Sequence, residues 1–246
     1  MLNKSHIVYY AFSGMCGINE SPNLVSEIVN IDLEPLLPNL HKKYGDDIDT
    51  KHILNCYALQ KELKNTFIYR SPISFDVNYT EDERLYTIDG VNINSQSEFN
   101  LLINNTDVPT IYQLLSGFGL CVISNNNSLP ISIQPANYHK TEVSKFPIVT
   151  GSFDCAKWFR PIHLAVFNKD KVDFKVRRGD PLFYIKFHTD NKIKLKRFLM
   201  TSEITSIMKA TVTTKNYIKN TKLAKLYELF TKSKLKPKLI KLIQSE

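Results

Sequence analysis

The chain has 246 residues, of which 43% are apolar and 11% aromatic, enough for one sizeable domain with or without a small second one. No run of about 18 apolar residues occurs, so we expect no membrane span, and residues 1–12 lack the pattern of a secretion signal. The net charge of +8 is uneven: residues 191–246 contain 14 Lys and Arg against 3 Asp and Glu, whereas residues 1–190 contain 18 against 21. The basic character therefore belongs to the C-terminal segment.

The cysteines are few and widely spaced, at Cys16, Cys56, Cys121 and Cys155, and they form no C-x-x-C pair. Scattered cysteines in a chain of this length are typical of reduced thiols in a cytoplasmic protein. A zinc site built from all four is an alternative, although structural zinc ligands usually occur in close pairs. The sequence predicts no metal and no cofactor.

Strand patterns recur about every ten residues through the first 190 positions, which is typical of an all-β sandwich or barrel. The predicted strands and hairpins cover residues 5–12, 65–79, 84–93, 120–124 and 129–134. Asp89 and Gly90, between two alternating runs, give the strongest short hairpin signal in the chain.

Two segments of the first half carry other patterns. Residues 31–40 contain two prolines, so we expect an extended surface segment there instead of a regular helix. Residues 50–63 have apolar side chains at helical spacing and predict a helix capped by Thr50, with a loop at Cys56 and Tyr57 as the alternative.

The stretch over residues 151–190 holds the only Trp of the chain and its clearest strand patterns. Alternation over 162–166, 172–176 and 182–188 predicts three antiparallel strands with tight connections, and the third of them has one fully apolar face. Gly179 and Pro181 predict a turn before this third strand, because Gly supplies a positive φ and Pro fixes φ near −65°.

These patterns together predict a mainly β fold, an antiparallel sandwich or barrel of the β-clip or cupin-like kind, with a helical C-terminal appendage. We expect residues 1–190 to form the β-rich domain and residues 191–246 to form a basic helical tail. Within the tail, the β-branched residues 211–214 interrupt the helical spacing and Pro237 opens a last short helix.

The tail has three open interpretations. It could pack its apolar stripe on the β-rich body with its lysines in water, it could touch nucleic acid or an anionic membrane surface, or it could clasp another subunit. Arg197 is the only arginine in the tail, so base-specific nucleic-acid recognition is not expected.

No complete catalytic motif is present. Neither the nucleophile elbow G-x-S-x-G nor the phosphate-binding G-x-x-x-x-G-K-[ST] loop occurs. His188 and Asp190 have the H-x-D spacing of non-haem iron sites, but no later His supplies the third ligand. His139 and Lys140 belong to a polar cluster that is either a ligand site or a solvated loop.

Residues 151–187 resemble the central motif of trimeric deoxyuridine-triphosphatases and deoxycytidine-triphosphate deaminases, which have a β-clip barrel. The matching positions are 151–154, Trp158, Arg160, Asn168 and 179–181. The resemblance implies that Asp154 orients the attacking water and that Trp158 stacks on the deoxyribose. The Ser-containing phosphate motif of these enzymes does not occur in residues 100–150, and a Lys-rich tail stands in place of their Gly-rich arm.

Most of residues 50–200 are similar to an uncharacterised family encoded by marine T-even-like tailed phages, mainly of cyanobacteria. The similarity is carried by Cys56, residues 63–67, Ser71 with Pro72, residues 158–162 and residues 179–187. It implies a phage-encoded protein that acts in the host cytoplasm or the virion, and no particular activity.

Two functional hypotheses follow. The first is a non-catalytic β-rich binding or assembly module whose partner is a protein, through self-association or a phage or host partner, with nonspecific nucleic-acid binding through the tail as a further option. The second is a nucleotide-binding or nucleotide-hydrolysing β-clip protein. For the second, Asp154 is the candidate catalytic residue, and the candidate ligand-binding residues are Trp158, Arg160, His139 and Lys140.

Overall fold

The computed structural model describes fifteen strands in four open sheets and five α-helices. The described residues are 5–12, 32–45, 52–79, 84–88, 91–93, 101–103, 111–113, 119–157, 159–168, 170, 172–217 and 223–245. The strands are β1 Ser5–Phe12, β2 Glu34–Pro35, β3 Thr66–Arg70, β4 Phe75–Tyr79, β5 Arg84–Ile88, β6 Val91–Ile93, β7 Leu101–Ile103, β8 Ile111–Gln113, β9 Leu120–Ser124, β10 Pro130–Pro135, β11 Gly151–Asp154, β12 Ala165–Phe167, β13 Phe174–Val176, β14 Pro181–Phe187 and β15 Lys192–Arg197. The helices are α1 Leu36–Tyr44, α2 Tyr57–Leu63, α3 Ser202–Tyr217, α4 Leu223–Lys232 and α5 Leu235–Gln244.

The predicted β-rich chain with a helical C-terminal segment is confirmed. The four sheets have the orders β15-β1-β9, β11-β10-β14-β3-β2, β12-β8-β7 and β13-β4-β5-β6. The predicted sandwich or barrel is not confirmed, because none of the sheets in the described part of the chain is closed.

Strand β14 lies at the centre of the five-stranded sheet, between β10 and β3. Its predicted apolar face, formed by Phe183, Ile185 and Phe187, is buried in the largest hydrophobic cluster. The opposite face is covered as well, since Tyr184 packs with Leu36 of α1 in a second cluster. A strand covered on both sides is a rigid support for side chains at its edges.

The expectation that the three strands of 162–188 pair with one another is wrong. Strand β12 pairs with β8, β13 pairs with β4, and β14 pairs with β10 and β3. The predicted turn does form, with Gly179 at φ 87° and the Asp180 carboxylate accepting the Arg177 N–H at 2.8 Å. Gly179 donates its N–H to the Ser71 carbonyl, and Ser71 donates its N–H to the Asp180 carbonyl. The turn carries the chain from the sheet of β13 to the sheet of β14.

The described part of this segment, residues 32–40, is not extended throughout, and the prediction that prolines exclude a helix is wrong. Pro35 is the N-cap residue of α1 and Pro38 lies in its first turn. The first N–H groups of a helix have no partner within it, so proline is tolerated at these positions. Leu36 and Leu40, one turn apart, then point into the second hydrophobic cluster.

The predicted helix over 50–63 is split in two. A 3₁₀ turn over Ile53–Asn55 is capped by the His52 side chain, and α2 begins after Cys56, which has an extended backbone. The predicted cap, Thr50, lies outside the described residues. The strands of the 84–93 hairpin are confirmed as β5 and β6, while its turn at Asp89 and Gly90 also lies outside the described residues.

The C-terminal helices cover one face of the β15-β1-β9 sheet, where β1 runs parallel to β15 and antiparallel to β9. Tyr9 and Ile123 on this face pack with Ile204 of α3, Phe230 of α4 and Leu239 of α5. The predicted interruption over 211–214 is wrong, because α3 continues to Tyr217. The Thr211 hydroxyl donates to the Ile207 carbonyl at 3.0 Å, and this local bond fits a threonine into the helix.

Glycine is required at Gly119, at the start of β9. A Cβ at this position would lie 2.3 Å from Cβ of Pro161. The absence of a side chain lets residues 119–120 approach the 161–163 segment, where Leu120 and Ile162 exchange two backbone hydrogen bonds. Among the described helices, none combines the length and apolar character needed to cross a membrane.

Candidate functional site

Asp154 ends β11, and its carboxylate is fully engaged by neighbouring groups. Oδ1 accepts the backbone N–H groups of Leu129 and Ala156, each at 2.9 Å. Oδ2 accepts the Ser128 hydroxyl at 2.6 Å and lies 3.4 Å from the Lys157 ammonium. This carboxylate therefore joins the loop before β10 to the turn after β11.

The surroundings of Asp154 also fix its charge state. Burial raises the pKa of the carboxyl, but the hydrogen bonds from Leu129, Ser128, Ala156 and Lys157 outweigh burial and lower it below its ordinary value. A group that orients water needs a free lone pair directed at the water. Four donors already occupy the two oxygens of Asp154.

The other basic residues of the nucleotide hypothesis each have surroundings of their own. Trp158 lies outside the described residues. Arg160 interacts electrostatically with Tyr227 of α4, and burial lowers the pKa of its guanidinium. Arg177 is exposed and forms an ion pair with Asp76 of β4 at 2.9 Å. Lys140 is exposed.

His139 belongs to a more closely organised cluster, next to the Tyr184 side chain of β14. Nδ1 of His139 lies 2.7 Å from the Tyr184 hydroxyl, which also accepts the backbone N–H of Tyr138 at 3.1 Å. The Tyr184 hydroxyl has a hydrogen and a further lone pair, so the direction of its bond with Nδ1 follows the tautomer of the His139 imidazole.

Cationic groups surround this pair. Burial and the positive charges of Arg70 and Lys43 lower the pKa of His139 to about 4, and Glu34 opposes them. Arg70 is fixed by two bonds to the Glu34 carboxylate, the shorter at 2.9 Å, and by one to the Gly179 carbonyl at 2.9 Å. His139 is thus a neutral ring beside an oriented guanidinium.

Aromatic rings complete the His139 cluster. The Tyr138 ring stacks on that of Tyr184 with centroids 6.1 Å apart, and it is 37% exposed. The Lys43 ammonium lies 5.1 Å from the centroid of the Tyr44 ring. Exposed aromatic faces and cations are the groups that hold bases and phosphates in nucleotide sites.

No family model, curated protein or solved structure matched this chain.

A second site lies where α4 and α5 meet the loop after β9. The Lys236 ammonium donates to the Asn126 carbonyl at 2.8 Å, and only 8% of the residue is exposed. A cavity of about 510 Å³ beside it is lined by Asn125, Asn127, Thr231, Lys236, Pro237, Ile240, Lys241 and Gln244. We call this cavity the lysine pocket.

The lysine pocket was not predicted from the sequence, for which lysines in water were one of three interpretations of the tail. One signal was present: Lys236 falls on the stripe that Leu239, Ile240 and Ile243 form on α5, and all four are buried. A lysine on the apolar stripe of a helix is desolvated and needs a partner.

The metal hypotheses gain no support from the described residues. Among them, no group of three or more His, Cys, Asp or Glu side chains is arranged to hold a metal. Cys56 is exposed, Cys121 and Cys155 are buried, and Cys16 lies outside the described residues. His188 of the H-x-D pattern contacts the Ser132 hydroxyl at 2.9 Å.

Proposed function

We propose that this chain is a non-catalytic β-rich binding or assembly module. The single observation that carries the proposal is the engagement of Asp154, whose oxygens serve four donors within the chain. The residue that the enzyme hypothesis needs is used to connect two loops. We also propose that the fold is a sandwich or barrel of the β-clip kind. We further propose that the protein is encoded by a phage and acts in the host cytoplasm or the virion.

The packing of the tail supports a binding role. Apolar residues of α3, α4 and α5 are buried against the β15-β1-β9 sheet, so the exposed lysines of these helices, which include Lys225, Lys238 and Lys241, stand on a fixed support. A fixed charged surface loses less conformational freedom on binding than a disordered arm. We infer partners that are proteins, including a second copy of this chain, or polyanions that are bound without sequence preference.

An activity assay tests the non-catalytic proposal. The purified protein is incubated with dUTP, dCTP and Mg²⁺, and pyrophosphate and ammonia are measured. We expect no turnover above that of a heat-denatured sample. Turnover that is lost in Asp154→Asn and kept in Ser128→Ala would overturn the proposal, because Ser128→Ala removes one donor of the same network and leaves the carboxylate.

Nucleotide binding without hydrolysis is the second candidate function, and the His139 cluster favours it. Tyr138 offers an exposed ring, and Arg70 and Lys43 lie close enough to lower the pKa of His139. A thermal-shift screen with nucleoside and deoxynucleoside phosphates tests it, since a ligand at about 100 times its Kd adds about 2.7 kcal/mol of stability.

Two tyrosine variants test whether a nucleotide binds at the His139 cluster or elsewhere on the chain. A shift that is lost in Tyr138→Ala and retained in Tyr57→Ala would support it. Tyr57 is a suitable control because it is an exposed tyrosine on α2, outside the His139 cluster. No shift with any nucleotide would leave the non-catalytic module without this second role.

A further inference from the structure

The lysine pocket has the chemistry of an anion site. Its lining residues offer the ammonium groups of Lys236 and Lys241 and the side-chain amides of Asn125 and Asn127, and they include no carboxylate. The Gln244 amide, also in the lining, donates one N–H to the Tyr9 hydroxyl at 2.8 Å. Ammonium and amide N–H groups are the donors that bind phosphate oxygens. The pocket volume of about 510 Å³ lies in the range of small-molecule sites.

The acidic side chains described nearby already have partners. Glu203 pairs with Lys238 at 2.7 Å, and Glu228 pairs with Lys232. Asp154 acts electrostatically on Lys236, but its two oxygens are engaged by the donors given above. Within the described part of the chain, no carboxylate lies within ion-pair distance of Lys241, so its charge is available to a ligand.

The position of Lys236 is fixed before any ligand binds. Its buried stem lies on the apolar stripe of α5, and its bond to the Asn126 carbonyl leaves further ammonium hydrogens for another acceptor. Asn126 is held in turn by its side-chain contact with His6 of β1. A cation held in this way loses little freedom when an anion binds.

A row of lysines extends the positive surface beyond the pocket. Lys192, Lys194 and Lys196 alternate with buried or half-buried residues along β15 and are exposed. Lys194 pairs with Ile7 and Lys196 with Tyr9, which places the row on the sheet face that α5 covers. Strand β9, which leads into Asn125 of the lysine pocket, lies two strands from β15 in the same sheet, a distance of about 10 Å.

We propose that the lysine pocket binds a phosphate group, and that the β15 lysines bind the adjoining phosphates when the ligand is single-stranded nucleic acid. The inference rests on the proposed binding role and gives it a ligand chemistry. A free phosphate compound and a nucleic-acid backbone both present that chemistry. No aromatic ring lines the pocket, so we expect no preference among bases.

Two probes distinguish these sources, inorganic pyrophosphate measured by calorimetry and a fluorescent oligothymidylate measured by anisotropy. Lys241→Gln, at an exposed position, should weaken binding of the probe that occupies the pocket by about tenfold, the usual value of one charged hydrogen bond. Lys232→Gln is the matched control, since it removes the same charge from the helical layer outside the pocket and should change binding less than twofold. Lys236→Met keeps the buried stem and should weaken binding at least as much as Lys241→Gln.

The double variant Lys194→Gln with Lys196→Gln shows whether the phosphate ligand is a nucleic acid or a free phosphate compound. If nucleic acid is the ligand, the variant weakens oligothymidylate binding, leaves pyrophosphate binding unchanged and reduces the slope of log K against log salt by about 1.4. If pyrophosphate alone binds, the ligand is a free phosphate compound. Binding of neither probe, or an equal loss in Lys232→Gln and Lys241→Gln, would overturn the proposal, whereas nucleotide turnover would overturn the non-catalytic function instead.

Discussion

The Tyr184 hydroxyl connects two consecutive residues of the loop after β10, accepting the Tyr138 N–H at 3.1 Å and contacting Nδ1 of His139 at 2.7 Å. Tyr184 itself is 2% exposed and lies on the central strand β14. One hydroxyl from a strand that is covered on both faces therefore fixes both the backbone and the imidazole of the candidate nucleotide site.

Tyr184→Phe should lower the free energy of unfolding by about 1–3 kcal/mol, because it leaves the Tyr138 N–H and His139 Nδ1 without their partner. Urea unfolding followed by circular dichroism measures the change. Tyr138→Phe removes a hydroxyl from the ring stacked on Tyr184 and should cost less than about 0.5 kcal/mol. Equal effects of the two substitutions would contradict the role of the Tyr184 hydroxyl.

His139 should make the protein less stable as the pH falls from about 6.5 to 4. Its pKa is lowered to about 4 by burial and by Arg70 and Lys43, so the unfolded chain binds this proton before the folded chain does. At pH values above the ordinary pKa of histidine, this group makes no pH-dependent contribution. Melting temperatures at pH 7.5 and 5 for the wild type and His139→Gln measure the effect, and the variant should show the smaller fall. A fall in melting temperature of the same size in the wild type and in His139→Gln would contradict this prediction.

Asp154→Ala should lower the free energy of unfolding by about 2 kcal/mol or more, because the N–H groups of Leu129 and Ala156 lose their acceptor. Ser128→Ala removes a donor at the more exposed side of the carboxylate and should cost less. The lowered pKa of Asp154 also stabilises the fold at pH values above its ordinary pKa, and this stability is lost as the pH falls through the lowered value. Chemical unfolding at pH 7 and pH 3 compares the variants, and no loss in Asp154→Ala at pH 7 would exclude a structural role.

Leu239→Ala should lower the free energy of unfolding by about 2–5 kcal/mol, since the side chain is fully buried between α5 and the β15-β1-β9 sheet. Leu235→Ala on the same helix is the control, because Leu235 is 36% exposed and its truncation should cost less than about 1 kcal/mol. Guanidinium unfolding measures both. A small effect of Leu239→Ala would mean that the tail contributes little to the stability of the body.

Local strand signals were strong enough to predict individual elements. The alternation over 182–188 located β14, and Gly179 located the turn before it, since both depend on the conformations of a few neighbouring residues. The same patterns could not predict which strands pair with one another. Nothing in the alternation of β12, β13 and β14 specifies that each belongs to a different sheet, because pairing depends on burial of distant surfaces.

The candidate site was predicted in part for the same reason. His139 was identified from a polar cluster, but its partner Tyr184 is 45 residues away and looked like an ordinary strand residue. Asp154 was identified by resemblance, and the donors that occupy its oxygens include backbone N–H groups, which no sequence pattern reveals. Lys236 was missed because its burial depends on a loop 110 residues earlier.

The bond between the Gln244 amide and the Tyr9 hydroxyl joins residues that are 235 positions apart. At a ribosomal rate of about 5–20 residues per second, that interval takes roughly 10 to 50 s. For most of this time strand β1 lacks its parallel neighbour β15, and the helical layer that covers Tyr9 is complete only at the end of it. The nascent chain therefore exposes an unpaired strand edge and an apolar face, which makes early binding by a chaperone an expected part of its synthesis.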